Sequence, residues 1–384
     1  AAPKLVLPWL LGALGAPAYL TGFLVPVREA CSLLPQLAIA GWIRARPQRK
    51  WVWAVGSLVQ GLSVAGMALA ALLLDGAAAG WAIVGLLAIF AVARSACSVS
   101  YKDVLGKTVS KATRGTATGT ASTIAAVLVL AYGIALSLDL LDKSVAVIAA
   151  FLFVAAGLWV FAAAIFTTLS EEPGATEGGG NALAVALQQL GLLRDDPQLR
   201  RFIAARALLL PTELAHPFLL ALAGETSGRT LGALGPFVVA AGLASVASTY
   251  VWGRLSDVSS RKVLALAGLV ATMVLGASAA IGWSARALLG NGWLAPALLF
   301  VLMIAYQGVR LGRSTHIVDM ADRDTRAAYT ALSNTIIGAI LVAGGAFGLV
   351  AEYAGYETVL AIFAGMTLLA ALVALGLEEV QQKD

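Results

Sequence analysis

Gly253-Arg254-Leu255-Ser256-Asp257, followed by Arg261-Lys262, decides how this chain is read. The segment lies between two long apolar runs, and a weaker echo stands earlier in Gly41 and Arg49-Lys50. Gly41 to Gly253, Arg49 to Arg261, Lys50 to Lys262 and Arg114 to Arg326 share one offset, 212. A second register, 216, relates Arg94, Ser98, Asp103 and Lys107 to Arg310, Ser314, Asp319 and Arg323. Two loops that match in the same order mark an internal duplication.

Composition says where that duplication lives. Of 384 residues, 60% are hydrophobic and only 12% charged, with mean hydropathy +0.87, against about a quarter charged in soluble domains. Apolar runs of about 20 residues recur along the chain, each long enough to cross about 30 Å of hydrocarbon. They lack strand alternation and exceed the length of a barrel strand, so an all-α polytopic membrane protein is expected rather than a barrel. The net charge of +5 does not point to nucleic acid, because the basic residues are confined to alternate loops. Cys31 and Cys97 fall in apolar runs and read as small buried residues.

Spans are expected near 18–43, 51–74, 80–101, 115–138, 145–168, 200–223, 231–252, 263–284, 292–314, 327–350 and 356–377. The hydrophilic stretch from Ser170 to Arg201 divides them into an N-terminal bundle (1–169), a linker (170–199) and a C-terminal bundle (200–384). Part of the linker, Ala182 to Leu193, fits a short surface helix. One set of loops carries Arg44, Arg46, Arg49 and Lys50, then Lys107, Lys111 and Arg114, then Arg194, Arg200 and Arg201. Arg254, Arg261, Lys262, Arg323 and Arg326 continue it, whereas the other side has only Lys143, Arg229 and Arg286. The rich side is expected to be cytoplasmic, with the linker and carboxyl terminus on it.

The repeat raises a question at the start. Carried back by the offset of 212, span 231–252 falls on about 19–40, and its preceding helix falls before residue 1. Residues 4–14 are then the outer end of a first helix, and the chain, which begins Ala-Ala-Pro, reads as truncated or processed. The alternative is two short helices, 5–25 and 28–45. Either way the parent pattern is six plus six spans.

These residues resemble the major facilitator superfamily of secondary transporters. That family carries Gly-x-x-x-Asp-(Arg/Lys)-x-Gly-Arg-(Arg/Lys) between its second and third helices, often echoed between the eighth and ninth. The second copy here keeps Gly253, Asp257, Arg261 and Lys262 but has Val258 and Ser260 at the basic and glycine positions. The first keeps Gly41, Arg49 and Lys50 but has Ala45 in place of the aspartate. The resemblance implies two pseudo-symmetric six-helix bundles and a loop cluster that latches the cytoplasmic side. Gly253 is expected to permit a tight helix exit and close packing, Asp257 to sit against a helix amino terminus, and Arg261 and Lys262 to anchor the next helix. The loss of the acid at Ala45 places any full latch in the second half. A topology anchor without a gating role is the plainer reading of the same residues.

Ionisable groups inside spans are functional candidates. Arg94 lies thirteen residues before Lys107, and Arg310 thirteen before Arg323, so each sits roughly 20 Å deep. Arg28, with Glu29 beside it, and Glu213 fall at a similar level. Four helices thus converge near the midplane, where transporters with internal repeats hold solute and coupling ion. Arg94 and Arg310 suit an anionic group or the tuning of a carboxylate; a structural ion pair is the alternative. Arg94 also resembles the fourth-helix arginine of proton-coupled exporters in the family, although Cys97-Ser98 replaces the Gln-Gly usual there. Glu213 and His216 share a helix face between Pro211 and Pro217, which predict a kink, and Glu213 is the candidate for proton coupling. His316 and Asp319 repeat the spacing nearer the loop side, as a gate or a structural pair, while Arg206 and Arg313 suit snorkelling or the vestibule.

No Gly-x-x-x-x-Gly-Lys-Ser/Thr segment is present, so energy from an ion gradient is expected rather than from ATP. No cofactor, metal or enzyme is expected. The reading is a multi-pass transporter of the bacterial inner membrane, a monomer in the lipid bilayer, moving a small-molecule solute with protons, export slightly preferred. Import of an anionic nutrient, or a non-transporting assembly or lipid-handling factor, are the alternatives.

Overall fold

The computed structural model describes residues 2–108, 111–138, 144–174, 191–226, 234–290, 292–321 and 326–380. Its first half holds α1 (Ala2–Ala13), α2 (Ala18–Arg44), α3 (Lys50–Leu73), α4 (Gly76–Thr108), α5 (Lys111–Ser137) and α6 (Val145–Thr167). After a single turn at Leu192–Asp195 come α7 (Pro197–Leu208), α8 (Pro211–Thr226), α9 (Leu234–Val258) and α10 (Ser260–Ser284). A 3-10 turn leads to α11 (Leu294–Met320), α12 (Arg326–Gly344), α13 (Phe347–Ala354) and α14 (Tyr356–Leu375). Among the described residues eight helical segments are long and apolar enough to cross a membrane. The region proposed as a surface helix, Ala182 to Leu193, lies largely outside the described residues.

Polar residues set several helix starts. The Ser144 hydroxyl accepts from the Val147 N–H, Asp196 from the Gln198 and Leu199 N–H groups, and Ser259 from the Lys262 N–H. Each supplies an oxygen to donors that a helix leaves unsatisfied. The expected spans match these helices with two kinds of difference. α4 and α11 run on to Thr108 and Met320, past the apolar stretch, because hydropathy marks where lipid ends and not where a helix ends. Two spans are broken. α7 gives way to α8 at Leu209-Leu210, where Pro211 follows and supplies no N–H. α12 gives way to α13 at Gly345-Ala346.

The helices form two bundles. In the first, α3 packs against α4 and α6, and α2 against α4; in the second, α10 packs against α14 and α11, and α9 against α11. Burial ranks the helices by depth. Only 17% of the apolar window of α6 is buried, against 78% for Pro197–Glu225, so α6 faces lipid and α7–α8 run through the centre.

The bundles meet where α2 packs on α12 and α13, α5 on α9, and α1 on α8. Small residues bring the backbones together. A Cβ on Gly22 would lie 2.4 Å from the Gly348 Cα, and one on Gly348 2.4 Å from the Tyr19 carbonyl oxygen. Gly345 faces the Phe23 ring, Gly235 faces Ser137, and Gly133 faces Val238. The Tyr19 N–H donates to Glu352 at 3.2 Å. These contacts lie in the half of the molecule away from the loops bearing Arg46, Arg49, Lys107 and Arg261, here termed the basic face.

Candidate transport site

α4 and α11 carry Arg94 and Arg310 at matching depth, and both side chains are exposed although each lies mid-helix. Arg94 lies within electrostatic reach of Arg28 and Glu29 of α2 and, from the other bundle, of Tyr306 and Arg310. α2 runs unbroken from Ala18 to Arg44, so Arg28 and Glu29 are inside a helix and not in a loop between two short ones. They pair with each other and are largely buried. The structure therefore brings Arg94, Arg310, Arg28 and Glu29 to one region between the bundles.

Glu213 and His216 lie in the first turns of α8 and are buried. Their relation differs from a simple side-chain pair. The His216 Nδ1 lies 2.9 Å from the Glu213 backbone oxygen, and a carbonyl only accepts, so Nδ1 carries the proton. The Glu213 carboxylate instead accepts from the Tyr306 hydroxyl at 3.1 Å, and the His216 ring stands edge-on to Tyr306 with centroids 5.5 Å apart. Glu213 thus meets His216 through its backbone carbonyl and α11 through its side chain.

Arg206 and Arg313 have a larger place than their positions on apolar helices suggest. Arg206, Thr212, Glu213, Tyr306, Arg310 and Arg313 line one small cavity. Arg206 is buried and does not snorkel: it donates to the Ser333 hydroxyl at 2.7 Å and to the Asn334 side-chain oxygen at 2.9 Å. It feels the charges of Arg313 and Glu213. The sequence signal was present in Arg310 and Arg313, one turn apart on α11, and in Arg206, two turns before Glu213. Beside Arg94, a second cavity of about 480 Å³ is walled by Phe90, Tyr132, Phe151 and Trp159. Its rings pack on one another, Tyr132 on Phe151 at 4.4 Å and Phe90 edge-on to Trp159 at 5.9 Å. An arginine at the rim of an aromatic wall suits a ligand with one charged end and an apolar body.

The loop candidates are placed differently from expectation. Gly253 is inside α9, and a Cβ there would meet nothing within 4 Å; it makes neither a tight exit nor a close approach. The closely packed glycine is Gly308 of α11, against the Trp252 ring. The Asp257 side chain lies outside the described residues. Arg261 pairs with Glu379 at 3.1 Å and donates to the Leu377 carbonyl at 3.0 Å. Lys262 is exposed. His316 is buried, lies 2.9 Å from the Ser260 hydroxyl and stacks on Phe202, which ties α11 to α10 and α7; Asp319 is exposed.

The first-half basic pair is fully engaged despite Ala45. Arg49 pairs with Asp103, and Lys107 bridges Asp103 at 2.7 Å and Glu171 at 3.0 Å. Glu171 also accepts the Arg49 and Lys50 N–H groups at 3.1 and 2.7 Å, capping α3. Burial alone would raise the Glu171 pKa, but its bonds from the Lys50 N–H, Lys107 and the Arg49 N–H outweigh burial and hold it below the ordinary 4.5. Burial likewise works against charge on Lys107, and its bonds to Asp103 and Glu171 outweigh it and hold the ammonium above 10.5.

No family model and no curated protein matches the chain. Solved structures do. A variant form of the nucleoside transporter NupG superposes with TM-score 0.73 at 14% identity, covering 98% of this chain and 95% of that one. The D-xylose-proton symporter gives 0.66 at 12% identity, over 100% and 97%. The inward open conformation of the xylose transporter XylE from E. coli gives 0.66 at 14% identity, over 100% and 93%. With its two helical bundles and eight membrane-length apolar segments among the described residues, the chain is a multi-pass membrane protein with the major facilitator fold.

Proposed function

We propose that the protein is a secondary transporter that carries a small organic anion together with a proton, by alternating access between its two bundles. The observation that carries this reading is Arg94 facing Arg310 across the bundle interface, each exposed at mid-depth. Guanidinium groups at the centre of a membrane protein are costly unless an anion or a carboxylate meets them. Glu213 supplies the coupling. It shares its cavity with Arg206, Arg310 and Arg313 and competes, when ionised, with an incoming anion for their charge. Its protonation releases the arginines, so proton and anion binding favour each other, by the same factor in both directions.

The tight contacts on the face opposite the basic loops support a conformation open toward the basic face, which we place in the cytoplasm of a bacterial cell by the positive-inside rule. Symport replaces export as the preferred direction: it suits co-binding of proton and anion, and one of the similar structures is a proton symporter. The ion clusters around Arg49 and Arg261 hold each bundle rigid while it rocks, with His316, Asp319 and Asp257 as further members of the basic-face gate.

Proteoliposomes enclosing a pH-sensitive dye test this. Small carboxylates and organic phosphates are expected to acidify the lumen, whereas neutral sugars and nucleosides do not. Arg310→Lys should weaken the response at least about tenfold, because an ammonium does not replace a bidentate guanidinium. Glu213→Gln should abolish acidification while solute exchange persists. Acidification driven only by neutral solutes would overturn the anion, and an unaltered proton flux in Glu213→Gln would overturn the coupling role.

A further inference from the structure

A groove opens on the outer side of the first bundle. α2, α3 and α4 enclose a groove of about 980 Å³ near the basic face. Its floor is built from small residues, Gly56, Ala88, Ala93 and Ala96, and its walls include the exposed side chains of Val55 and Ile89. The pattern is one apolar stripe per helix, each at helical spacing: Ile39 and Trp42 on α2, Val52, Val55 and Val59 on α3, and Ile89 and Val92 on α4. Arg94 points away from this stripe of α4, so the groove is separate from the central site.

The loop end of the groove is different in kind. Trp42 and Trp51 stand there, half exposed, at the level where amphipathic rings mark the headgroup region. The Arg46 guanidinium lies 4.7 Å from the centroid of the Trp42 ring, a cation–π geometry that holds it over the groove mouth. Arg46 has no carboxylate partner among the described residues. Its neighbour Lys50 is already used, donating to the Thr167 and Leu169 carbonyls. Gln48 at the mouth also accepts from the Trp51 indole N–H at 3.2 Å. The apolar part runs from Trp51 to Val59, about 12 Å along α3, within the roughly 15 Å of one leaflet's hydrocarbon.

We propose that this groove holds one anionic phospholipid of the leaflet on the basic face, an acyl chain lying between α2, α3 and α4 and the phosphate meeting Arg46. The aromatic collar and the Arg46 cation at the mouth fit that occupant, and a zwitterionic lipid would gain less from Arg46. The test is native mass spectrometry of the full chain in detergent, with dioleoyl phosphatidylglycerol or dioleoyl phosphatidylcholine added at equal mole fraction. One phosphatidylglycerol should be retained in preference to phosphatidylcholine. Arg46→Gln, an exposed change that leaves the core intact, should weaken that retention about fivefold, the effect of one interfacial cation. Ala96→Phe should remove it by filling the floor. Equal retention of the two lipids, or unchanged phosphatidylglycerol binding in Arg46→Gln, would overturn the site, leaving the groove to ordinary bilayer lipid.

Discussion

The two halves hold their basic faces together in different ways at equivalent positions. In the first, Arg49 and Lys107 share Asp103 and Glu171, and one carboxylate caps α3 while gripping α4. Three elements are joined by ions: the start of α3, the end of α4 and the strap after α6. In the second, Glu379 after α14 meets Arg261 and the Ser259 hydroxyl, joining α10 to the chain after α14. α11 is held by the contact of His316 with Ser260 instead. Glu171 and Glu379 thus play the same part, each following the last helix of its bundle and reaching the start of the third. Among the described residues the fourth helix contributes Asp103 and Lys107 in the first half and the buried imidazole of His316 in the second; Arg323, the repeat partner of Lys107, lies outside them. In each half an acid outside the loop, Glu171 or Glu379, meets the basic residues, and a loop signature alone does not show that contact.

The largest expected effect comes from removing the acid that does most. Glu171→Ala leaves the Lys107 ammonium without one partner and two N–H groups of α3 uncapped. About 3 kcal/mol is expected, the low end for breaking a buried pair. Hydrogen exchange should rise at the first turn of α3 and remain unchanged at the first turn of α10. Equal exposure of both turns would show that the halves are one cooperative unit and that the comparison is false.

Acid provides the same test without a mutation. Glu171 titrates below the ordinary 4.5 in the folded chain, so its contribution is complete above that value and lost as pH falls through the folded pKa. Lys107 titrates above 10.5; its contribution is complete below that value and lost as pH rises further. The first-half cluster is therefore whole between those limits. Exchange at α3 should quicken on acidification below about 4.5, and this response should shrink in Glu171→Gln to the part due to Asp103, which is also held below its ordinary value, against burial, by Lys107 and Arg49. In the second half, Glu379→Gln removes one partly exposed pair, with about 1 kcal/mol expected at most, read as faster exchange at Ser260–Leu264.

How much of this was legible follows from the distances in sequence. The spans were readable because each is an unbroken apolar run, and the Arg94–Arg310 relation because the repeat keeps its register. The partners of the loop were not. Glu171 lies 122 residues from Arg49, and Glu379 lies 118 from Arg261, each in a polar tail whose only local signal is a Glu-Glu pair. The two readings of Arg206, snorkelling or lining a vestibule, are not separable in sequence for a similar reason. An arginine on an apolar helix reads as snorkelling until Ser333 and Asn334 of α12, more than a hundred residues later, are seen to receive it. Gly253 failed in the opposite way: a family motif gave it a packing role that the space around it does not require.

The smallest effect separates motif from geometry. Ala45→Asp restores the acid that the first loop lacks. Were the loop aspartate the missing member of a latch, the substitution would tighten the first half and slow exchange at α3. The cluster already supplies Arg49 with Asp103 and Lys107 with both Asp103 and Glu171. Residue 45 is exposed, where an added ion pair contributes about 0–1 kcal/mol. The expected change in exchange is therefore less than about twofold, with no gain in melting temperature. A larger stabilisation would mean that Arg49 prefers a loop acid to Asp103, and that the two halves differ by an unmade contact rather than by a substitution of partners.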